Sequence, residues 1–415
     1  MRILLVTEDV PMAQLGGAGA HAITLGNALL NAGHHVEFVG ARSEDGFDGD
    51  NGFAGKLHRL IDFRGARWRE NSTGAFVPLA RPHMARRLWA AISQVAGPWD
   101  VVHYHGHNPH LGALVPATVN FVHTLHDQGA ECLTKVRFRD DQPCRADRAI
   151  ECAKCAAPAP NALQRWMSVT SVNGLRRASL RAFRRHRAIF VSDFIRQRYC
   201  HNLQVEPGSI RSHVIHNFVD MNRIRAALLA PVPGSGDGGR LRVLCAGRID
   251  AAKGFGDFLS ALDERSLGKL QIIVAGDGPA LAATRATHES RGVCFLGWQS
   301  PSRVLESVRD AQVCVVPSIL EEACPTTVLE SLALGRTVLA LRRGGTPELA
   351  DYGQPGQLRL FESLPELAAA LPSVPVPDWP RSDKAGVLAR VPAIETVYRA
   401  GMPVPMPQGN PRGSP

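Results

Sequence analysis

The second half of the chain carries two cations and two carboxylates at spacings that suit a phosphorylated, polyhydroxylated ligand. Arg248 and Lys253 follow an apolar run in a Gly-Arg-x4-Lys-Gly segment, and Glu322 and Glu330 stand eight residues apart. Cations beside a strand-to-helix turn can neutralise a diphosphate, whose charge rises as it departs. A carboxylate can accept hydrogen bonds from paired sugar hydroxyls. Each pair on its own would also fit ordinary surface charges.

Main-chain groups near these side chains are further candidates. Gly276 and Gly278, in a Gly-Asp-Gly-Pro segment, permit close approach to the backbone at a second strand end, although most such loops merely turn the chain. Pro325 and Thr326 mark a helix start between the two glutamates, directly after Cys324. The N–H groups at that start could meet a phosphate or a sugar hydroxyl. The cation pair, the Gly-Asp-Gly-Pro segment and the glutamate pair follow one another in this order along the chain. Together they favour a ligand-binding site over ordinary surface charges.

The first half contributes a glycine-rich loop and a histidine. Gly16 and Gly17 lie between the first apolar run and a helical pattern. His126 stands beside Asp127 at the carboxyl end of a strand pattern, where site residues cluster. A lone histidine is more often structural than catalytic, and His105, at the end of another strand pattern, is a weaker candidate for the same reason.

Four of the nine cysteines fall within one polar stretch, in the spacing C-x11-C-x7-C-x2-C. They are Cys132, Cys144, Cys152 and Cys155. Four thiolates ending in a CxxC pair suit a closed, tetrahedral zinc site in a reducing compartment. The residues between them are too polar to pack as a core, so a metal would explain how the segment holds its shape. Two disulfides, four free thiols and an iron–sulfur cluster remain as alternatives.

The elements that must position these residues form two α/β halves. Arg2 to Val6 is a buried-strand pattern, Ala20 to Ala32 a helical pattern, and His35 to Val39 a second strand, which together make a βαβ unit. The pattern restarts after a Pro/Gly/Ser-rich segment, with a strand at Leu241 to Ala246. Further strands are predicted at Val101 to Tyr104, Asn120 to Thr124, Ala188 to Val191, Ser212 to Ile215, Leu270 to Ala275, Val293 to Leu296, Val313 to Val316 and Thr337 to Leu341.

The sequence therefore predicts an α/β protein with two Rossmann-like, doubly wound domains facing across a cleft. Because ligands of such sheets bind at the carboxyl edge of the strands, a site between the domains is expected. The predicted divisions are a first domain (residues 1–229) with a cysteine-rich insert at about 128–160, a linker (230–239), a second domain (240–383), a C-terminal helical segment (384–401) crossing back to the first domain, and a disordered tail (402–415).

These residues resemble glycosyltransferase family 4, a family of retaining enzymes with the GT-B fold. Arg248 and Lys253 match its diphosphate-binding pair, and Glu322 and Glu330 match its EX7E motif. The resemblance spans roughly residues 1–400 through five more segments: Gly16-Gly17, Thr124-Leu125-His126-Asp127, Val191-Ser192-Asp193, His216-Asn217-Phe218-Val219-Asp220 and Gly344-Gly345-Thr346-Pro347-Glu348. Many members have Gly-Phe-Gly after the first glutamate, where this chain has Ala-Cys-Pro. A Glu-x-Cys-Pro version is found in one branch, and a similar four-cysteine insert also occurs in a branch of the family.

The resemblance implies a glycosyltransferase that moves a sugar from a nucleotide diphosphate sugar to a saccharide or lipid-linked acceptor, in cell-surface polysaccharide or glycolipid biosynthesis. Arg248 and Lys253 would neutralise the leaving diphosphate, so no catalytic metal is expected. Retention is assigned to same-face attack in which the departing phosphate takes the acceptor's proton, so no protein nucleophile is named. A nucleotide-sugar epimerase on the same architecture and a non-catalytic nucleotide-sugar-binding protein are the alternatives.

The same resemblance distributes the roles within the site. Glu330 would hold the ribose, Glu322 the transferred sugar, and His126 the donor sugar or the acceptor near the reacting carbon, while Gly17 would let backbone amides approach the phosphate. The predicted catalytic set is His126, Glu322, Arg248 and Lys253. The predicted donor-binding set is Gly16, Gly17, Arg248, Lys253, Gly276, Gly278, Glu322, Cys324, Pro325, Thr326 and Glu330.

Composition and charge restrict the classes of molecule that the protein is expected to bind. The 415 residues carry a net charge of +9 and only 6% aromatic residues, which is weak for a nucleic-acid binder. No apolar run approaches the roughly 18 residues of a spanning helix, and the apolar start lacks a cleavage site, so a cytoplasmic protein is expected. The first 222 residues hold +7 of the charge, with an arginine run from Arg176 to Arg187. This run fits either a solvated helix face or peripheral contact with anionic lipid at the inner face of the membrane.

Overall fold

The two parallel sheets of the molecule are each covered on both faces. In the computed structural model, which describes residues 1–12, 15–42, 47, 49, 51–62, 77–155, 161–231 and 239–402, alternate residues of the first strand belong to different hydrophobic clusters. Ile3 and Leu5 pack in one cluster, and Leu4 and Val6 pack in another. An uninterrupted apolar strand is the pattern that a sheet buried on both sides requires.

The first sheet is assembled from strands of the first half of the chain. Its order is β3-β2-β1-β4-β5-β8-β9, with every pair of neighbours parallel. The strands of this half, including an antiparallel hairpin β6–β7 in the cysteine segment, are β1 Arg2–Thr7, β2 His35–Ala41, β3 Lys56–Ile61, β4 Val101–His105, β5 Phe121–Leu125, β6 Phe138–Arg139, β7 Gln142–Pro143, β8 Arg187–Phe190 and β9 Ser212–Val214. The helices are α1 Gly17–Asn31, α2 Val77–Ser93, α3 His110–Leu114, α4 Ala149–Cys152, α5 Ala162–Arg185, α6 Asp193–Leu203 and α7 Met221–Leu229.

The second sheet repeats the arrangement with six parallel strands in the order β12-β11-β10-β13-β14-β15. Its strands are β10 Leu241–Ala246, β11 Leu270–Ala275, β12 Cys294–Gly297, β13 Val313–Val316, β14 Thr337–Leu341 and β15 Leu358–Phe361. The helices are α8 Phe255–Ala261, α9 Glu264–Leu267, α10 Leu281–His288, α11 Pro301–Asp310, α12 Thr326–Ala333, α13 Leu364–Ala370 and α14 Val391–Arg399. The predicted fold class, two doubly wound α/β units, is confirmed.

The short hairpin strands β6 and β7 were not predicted, nor were two strands of the parallel sheets, both of which lie at sheet edges. β3 reads Lys-Leu-His-Arg-Leu-Ile and β15 reads Leu-Arg-Leu-Phe, and most of their residues are only partly buried. An edge strand has one unpaired side and tolerates charged residues, which here interrupt the apolar signal.

The C-terminal helix begins later than the sequence pattern predicts. The predicted helical stretch starts at Lys384, whereas α14 starts at Val391, after a short 3-10 turn over Val387–Ala389. Pro392 lies in the first turn of the helix, where its missing N–H costs nothing.

The segment after the second sheet packs on the first domain. Five of its apolar side chains join the cluster that contains Ile3 and Leu5, namely Val387, Val391, Ile394, Val397 and Tyr398. The buried Tyr398 hydroxyl lies 2.7 Å from His103 Nδ1, and Asn120 donates a hydrogen bond to the Tyr398 carbonyl at 2.9 Å. The core of the first domain therefore includes residues from the far end of the chain.

Parts of the predicted linker and tail lie outside the described residues. These are residues 232–238 of the linker and residues 403–415 of the tail. Within the described part of the chain, no helix combines the length and the apolarity needed to cross a membrane.

Candidate active site

The carboxyl ends of the two sheets face each other across a cavity of about 430 Å³. The first domain contributes Gly17, at the start of α1, and His126, which directly follows β5. The second domain contributes Gly247 and Arg248 after β10, and the loop that follows β13. Of the predicted site residues, those lining this cavity, here named the cleft, are Gly17, His126, Arg248, Lys253, Glu322, Cys324, Pro325 and Thr326.

Lys253 and Glu322 meet at the floor of the cleft. The Lys253 ammonium lies 2.5 Å from Glu322 Oε1, and the Ser318 hydroxyl donates to the same oxygen at 2.5 Å. The two charged side chains are each largely shielded from solvent, with exposed fractions of 28% and 13%. The cation and the carboxylate belong to two sequence motifs, and they lie 69 positions apart in the chain. The fold brings both groups to the same cavity.

The loop that carries the two cations has a fixed geometry. Asp250 accepts a hydrogen bond from the Lys253 backbone N–H at 3.0 Å and lies 3.4 Å from Arg248 Nε. Gly254 has φ +66°, and a Cβ there would lie 2.4 Å from the carbonyl oxygen of Pro317. Only glycine fits this position, so the loop packs directly against the segment leading to Glu322.

Gly276 and Gly278 lie beside this loop and outside the lining of the cleft. Their φ values are +148° and +156°, and a Cβ on either would collide with the carbonyl oxygen of Gly247 or Ile249. The two glycines let the loop after β11 pack directly on the backbone on either side of Arg248. In the structure they support the cation loop, and direct contact of either glycine with a donor stays a prediction.

Two helix N-termini converge on the cleft from opposite domains. α1 begins at Gly17, with Gly16 as its N-cap, and α12 begins at Thr326, with Pro325 as its N-cap. Added Cβ atoms at Gly16 or Gly17 would meet nothing within 4 Å. The first N–H groups of a helix are unpaired and carry a partial positive charge, so this arrangement favours an anion between the domains.

Glu330 lies one turn into α12 and lines a smaller cavity of about 70 Å³. That cavity shares Gly17 and Thr326 with the cleft, so the two volumes adjoin. Burial raises the pKa of Glu330 to about 7, although Arg223, which lines the same cavity, acts in the opposite direction. Glu330 thus lies beside the site of Glu322 but in a separate recess.

His126 is partly exposed to the cleft and contacts two buried histidines. Its Nε2 lies 3.1 Å from His105 Nδ1, and its ring contacts His21 edge-on with centroids 4.6 Å apart. Burial lowers the pKa of His126 to about 4, so the ring is neutral at physiological pH. His105 is fully buried behind His126 and does not line the cleft.

An ion pair beside His126 was missed by the sequence analysis. His107 Nδ1 lies 2.6 Å from Asp127 Oδ2. Burial opposes ionisation of both, yet each partner favours the charge of the other, so the pKa of Asp127 falls to about 2 and that of His107 rises above its usual value. Asp127 also accepts a 2.8 Å hydrogen bond from Gly129 N–H. The pair fixes the turn that leads from His126 into the cysteine segment.

Glu321 was also missed, and it links three parts of the molecule. Its side chain is 5% exposed and accepts hydrogen bonds from Arg198 of α6 at 2.7 Å and from Arg145 of the cysteine segment at 2.8 Å. Gln128 Nε2 lies 3.4 Å from the Glu321 carbonyl. Because Glu322 is the next residue, this network holds the loop that presents it to the cleft.

Glu348 connects the second domain to the first. Its carboxylate accepts hydrogen bonds from the N–H groups of Asp193 and Phe194 at 2.8 Å and lies 2.9 Å from His216 Nε2. A carboxylate at a helix N-terminus satisfies unpaired donors and interacts favourably with the helix dipole. Three of the motifs that carry the family resemblance thus meet at one contact between the domains.

Cys324 lies at the wall of the cleft and is almost fully buried. Asn217 donates its backbone N–H to Cys324 Sγ at 3.3 Å and its side-chain amide to the Cys324 carbonyl at 2.9 Å. Burial raises the pKa of the Cys324 thiol to about 12, so it is a neutral packing group. A donor contact at this position would therefore use the backbone rather than a thiolate.

The four clustered cysteines line a single small cavity of about 20 Å³, and none of the nine cysteines is in a disulfide. The segment around them includes four non-glycine residues in left-handed geometry: Lys135, Arg137, Asp140 and Asp141. Burial raises the pKa of Cys152 to about 11 and that of Cys155 above its usual value. Ligand nitrogens of His21, His105 and His126 all lie within 4.8 Å of one another. Among the described cysteines, no three sulfur atoms lie that close together. A metal ion held by the cysteines would require their side chains to turn toward a common centre.

Two parallel sheets facing across a cleft, with cations, carboxylates and helix N-termini directed into it, define a GT-B glycosyltransferase. A family model described as Glycosyltransferase Family 4 matches residues 15–223, and one described as Glycosyl transferases group 1 matches residues 240–374. The chain belongs to glycosyltransferase family 4.

Individual relatives are more distant. Residues of this chain are 31% identical over 127 positions to the lipopolysaccharide 1,2-N-acetylglucosaminetransferase of Salmonella typhimurium, a match that covers 28% of this chain and 33% of that protein. The fold is similar to that of the sucrose-phosphate synthase of Thermosynechococcus elongatus, with 17% identity, coverage of 96% of each chain and a TM-score of 0.60. It is also similar to Anabaena HepE in complex with UDP-glucose, with 15% identity, coverage of 97% and 98%, and a TM-score of 0.56.

Proposed function

We propose that this protein is a retaining glycosyltransferase that moves a sugar from a nucleoside diphosphate sugar to a saccharide or lipid-linked acceptor in the assembly of a cell-surface polysaccharide or glycolipid. The observation that carries the proposal is the meeting of Lys253, Glu322 and the N-termini of α1 and α12 at one cleft between the domains. This set supplies the positive groups that a diphosphate leaving group needs and a carboxylate for sugar hydroxyls.

In the proposed reaction the diphosphate lies between the two helix N-termini. Arg248 and Lys253 neutralise the charge that develops on the phosphate oxygen as the sugar–oxygen bond breaks. Glu322 accepts hydroxyl hydrogen bonds from the transferred sugar, and neutral His126 contacts that sugar from the opposite wall. Glu330, in the adjoining recess, takes the ribose. The acceptor hydroxyl attacks the face that the diphosphate leaves, and its proton passes to the departing phosphate, so atoms and charge balance without a protein nucleophile.

A uridine diphosphate sugar is the first donor to test. The support is indirect: one similar fold was determined with UDP-glucose, and the relative with 31% identity over part of its length is an N-acetylglucosaminetransferase acting on lipopolysaccharide. The acceptor would enter from the first domain, where the cysteine segment borders the cleft through Lys135, Val136 and Phe138.

The experiment is a screen of UDP-, GDP- and ADP-sugars that measures nucleoside diphosphate release with and without saccharide acceptors, followed by NMR of the product's anomeric centre. Retained configuration in a transferred sugar supports the proposal, and an inverted product contradicts retention. Acceptor-free conversion of a nucleotide sugar into its isomer would instead identify an epimerase. Tight binding without turnover would identify a non-catalytic nucleotide-sugar-binding protein.

For the cysteine segment we propose a structural zinc ion on Cys132, Cys144, Cys152 and Cys155. Four thiols around one small cavity, without disulfides, supply the ligand number of a closed zinc site. The strained left-handed residues between them support the need for a fixed crosslink. Zinc binding would release the protons that the raised thiol pKa values retain in the metal-free state.

We also propose that the first domain contacts anionic lipid from the inner face of the membrane. Arg177, Arg181 and Arg184 recur at helical spacing on an exposed face of α5. At the start of the same helix, Leu163 and Trp166 are 63% and 66% exposed. Cations with an exposed tryptophan are typical of a helix that touches headgroups without crossing the bilayer.

A further inference from the structure

Three histidines from separate elements converge at the inner wall of the cleft. His21 lies in the second turn of α1, His105 is the last residue of β4, and His126 directly follows β5. Each ring can offer one nitrogen such that the three nitrogens all lie within 4.8 Å of one another. His105 Nδ1 and His126 Nε2 lie 3.1 Å apart and share a hydrogen bond, which a metal ion bound to both nitrogens would replace.

The group has buried nitrogens that lack partners. Among the described residues, neither His21 Nδ1 nor His105 Nε2 has a hydrogen-bond partner. The exposed fractions of the two side chains are 8% and 0%. Buried polar atoms without a partner are uncommon in folded proteins, and each one requires an explanation such as an ion or a water molecule.

The rings are held in place and remain neutral. Phe218 stacks on His21 with centroids 3.9 Å apart, and His103 lies against His105 at 4.1 Å. Burial lowers the pKa of all three histidines, so each ring keeps an unprotonated nitrogen at physiological pH. Imidazole nitrogens on rigid elements suit Zn²⁺, Co²⁺, Ni²⁺ or Cu²⁺ and not the oxygen-seeking Mg²⁺ or Ca²⁺.

The position is reachable and close to the proposed donor site. His126 lines the cleft, and His21 lines the smaller cavity together with Glu330. A metal ion among the histidines would have two open cavities beside it for a water molecule or an anion. It would also engage the His126 side chain that the proposed function assigns to the donor sugar.

We propose that His21, His105 and His126 bind a divalent transition-metal ion, and that this ion and the donor sugar exclude each other. The second part of the proposal rests on the proposed function, whereas the first does not. By linkage, the factor by which the metal weakens donor binding equals the factor by which the donor weakens metal binding. The ion would therefore act as an inhibitor of transfer rather than as a catalyst.

The test of the first part is titration of the full-length protein with Co²⁺, followed by visible absorption without any nucleotide sugar. Because Co²⁺ on thiolates also absorbs in the visible range, the titration is repeated on the variant Cys132→Ser, Cys155→Ser. We expect ligand-field bands of a nitrogen-ligated ion to persist there without thiolate charge-transfer bands. His21→Phe, which preserves the stacking on Phe218, should weaken the nitrogen-ligated site at least about tenfold. The matched control is His123→Phe, which removes another buried histidine, one bonded to the Gly106 carbonyl and outside the group.

The wild-type spectrum keeps the proposal falsifiable if either variant fails to fold. Absence of nitrogen-type bands in the wild-type protein, or equal nitrogen-type binding in wild type and a folded His21→Phe protein, overturns the metal site. The second part is tested by adding UDP-glucose to the Co²⁺ protein: displacement of the nitrogen-type bands supports exclusion, and unchanged bands with bound UDP-glucose contradict it. If no nucleotide sugar binds at all, the proposed function fails while the metal result stands by itself.

Discussion

Arg145, in the cysteine-rich segment of the first domain, donates a 2.8 Å hydrogen bond to Glu321 of the second domain, and Glu321 immediately precedes the proposed sugar-binding Glu322. The segment is thus attached to the loop that forms the floor of the cleft. Arg198 contacts the other oxygen of the same carboxylate, so two guanidinium groups hold one buried acid. The cysteine segment can therefore influence the donor site without contacting the donor.

Replacing Glu321 with Gln should lower kcat/KM for the donor about tenfold or more, because the loop would no longer be held in place and small displacements of a reacting group are costly. The measurement is steady-state transfer combined with a double-mutant cycle. If Glu321 acts through Glu322, the double variant Glu321→Gln, Glu322→Gln should lose little more than Glu322→Gln alone. Fully additive losses would contradict this coupling.

A milder variant removes only the Arg145 side chain, which lies in the cysteine-rich segment. Arg145→Ala should reduce kcat/KM less than Glu321→Gln does, because the Arg145 side chain is 69% exposed and its ion pair is partly screened. Arg148→Ala is the matched control, since no described residue pairs with its side chain. Equal losses in the two arginine variants would show that the Arg145 contact does not matter.

Arg248→Ala and Lys253→Ala should each reduce turnover at least about 10²-fold, because both cations face the developing charge of the leaving diphosphate. The reduction should appear in single-turnover rates at saturating donor. Lys269→Ala, an exposed lysine just before β11 at the opposite edge of the sheet, controls for loss of charge. Rates near wild type in both cleft variants would remove these residues from the mechanism.

Donor binding should strengthen as the pH rises through about 7. The folded-state pKa of Glu330 is about 7 because of burial, and only the ionised carboxylate accepts hydrogen bonds from both ribose hydroxyls. Below that value the affinity should fall about tenfold per pH unit, and above pH 8 it should be constant. Calorimetric titration with UDP-glucose between pH 5.5 and 8.5 measures this. Glu330→Gln should bind weakly at every pH, and the same pH profile in that variant would assign the titration to another group.

The purified protein should contain about one thiol-bound zinc ion per chain. Cys155→Ser should lose that metal and lower the melting temperature, because the remaining three ligands leave the site open. Cys294→Ser, which changes an exposed cysteine far along the chain, should keep both. Metal analysis and thermal unfolding are the measurements. A protein whose four cysteines carry neither metal nor disulfides would refute the zinc proposal.

The triple variant of Arg177, Arg181 and Arg184 to Ala should bind anionic phospholipid vesicles on the order of 10²-fold more weakly, at about 1 kcal/mol for each cation near a charged surface. Vesicle sedimentation at two salt concentrations measures the effect. The control removes an equal charge from the second domain by changing Arg240, Arg265 and Lys269, all exposed, to Ala. Equal losses in the two triples would indicate nonspecific attraction.

The sequence predicted best where local patterns are complete. β10 is an apolar run that ends at Gly247, and its bounds, Leu241–Ala246, agree with the prediction at both ends. The same holds for β11 and β13. Edge strand β15 was missed because a strand that is half exposed has no continuous apolar signal.

Contacts between distant parts of the chain could not be predicted. The sequence separates Arg145 from Glu321 by 176 positions and Arg198 from Glu321 by 123, and no local pattern relates them. For Gly276, the sequence motif was recognised but its role could not be predicted. Whether this glycine touches a ligand or supports the neighbouring loop depends on how two strand ends pack. The burial of His21 beside His126 likewise depends on the helix rotation that packs α1 on its sheet.

The return of α14 to the first domain determines the order in which this protein can be completed. Domains generally fold as units while the chain emerges from the ribosome, the N-terminal one first. Here His103 and Asn120 form hydrogen bonds with Tyr398, which is synthesised only after the entire second sheet. This part of the first domain therefore stays incomplete until Tyr398, which lies 295 positions after His103, has been synthesised. A chimaera that exchanges the second domain has to keep residues 384–401 with the first.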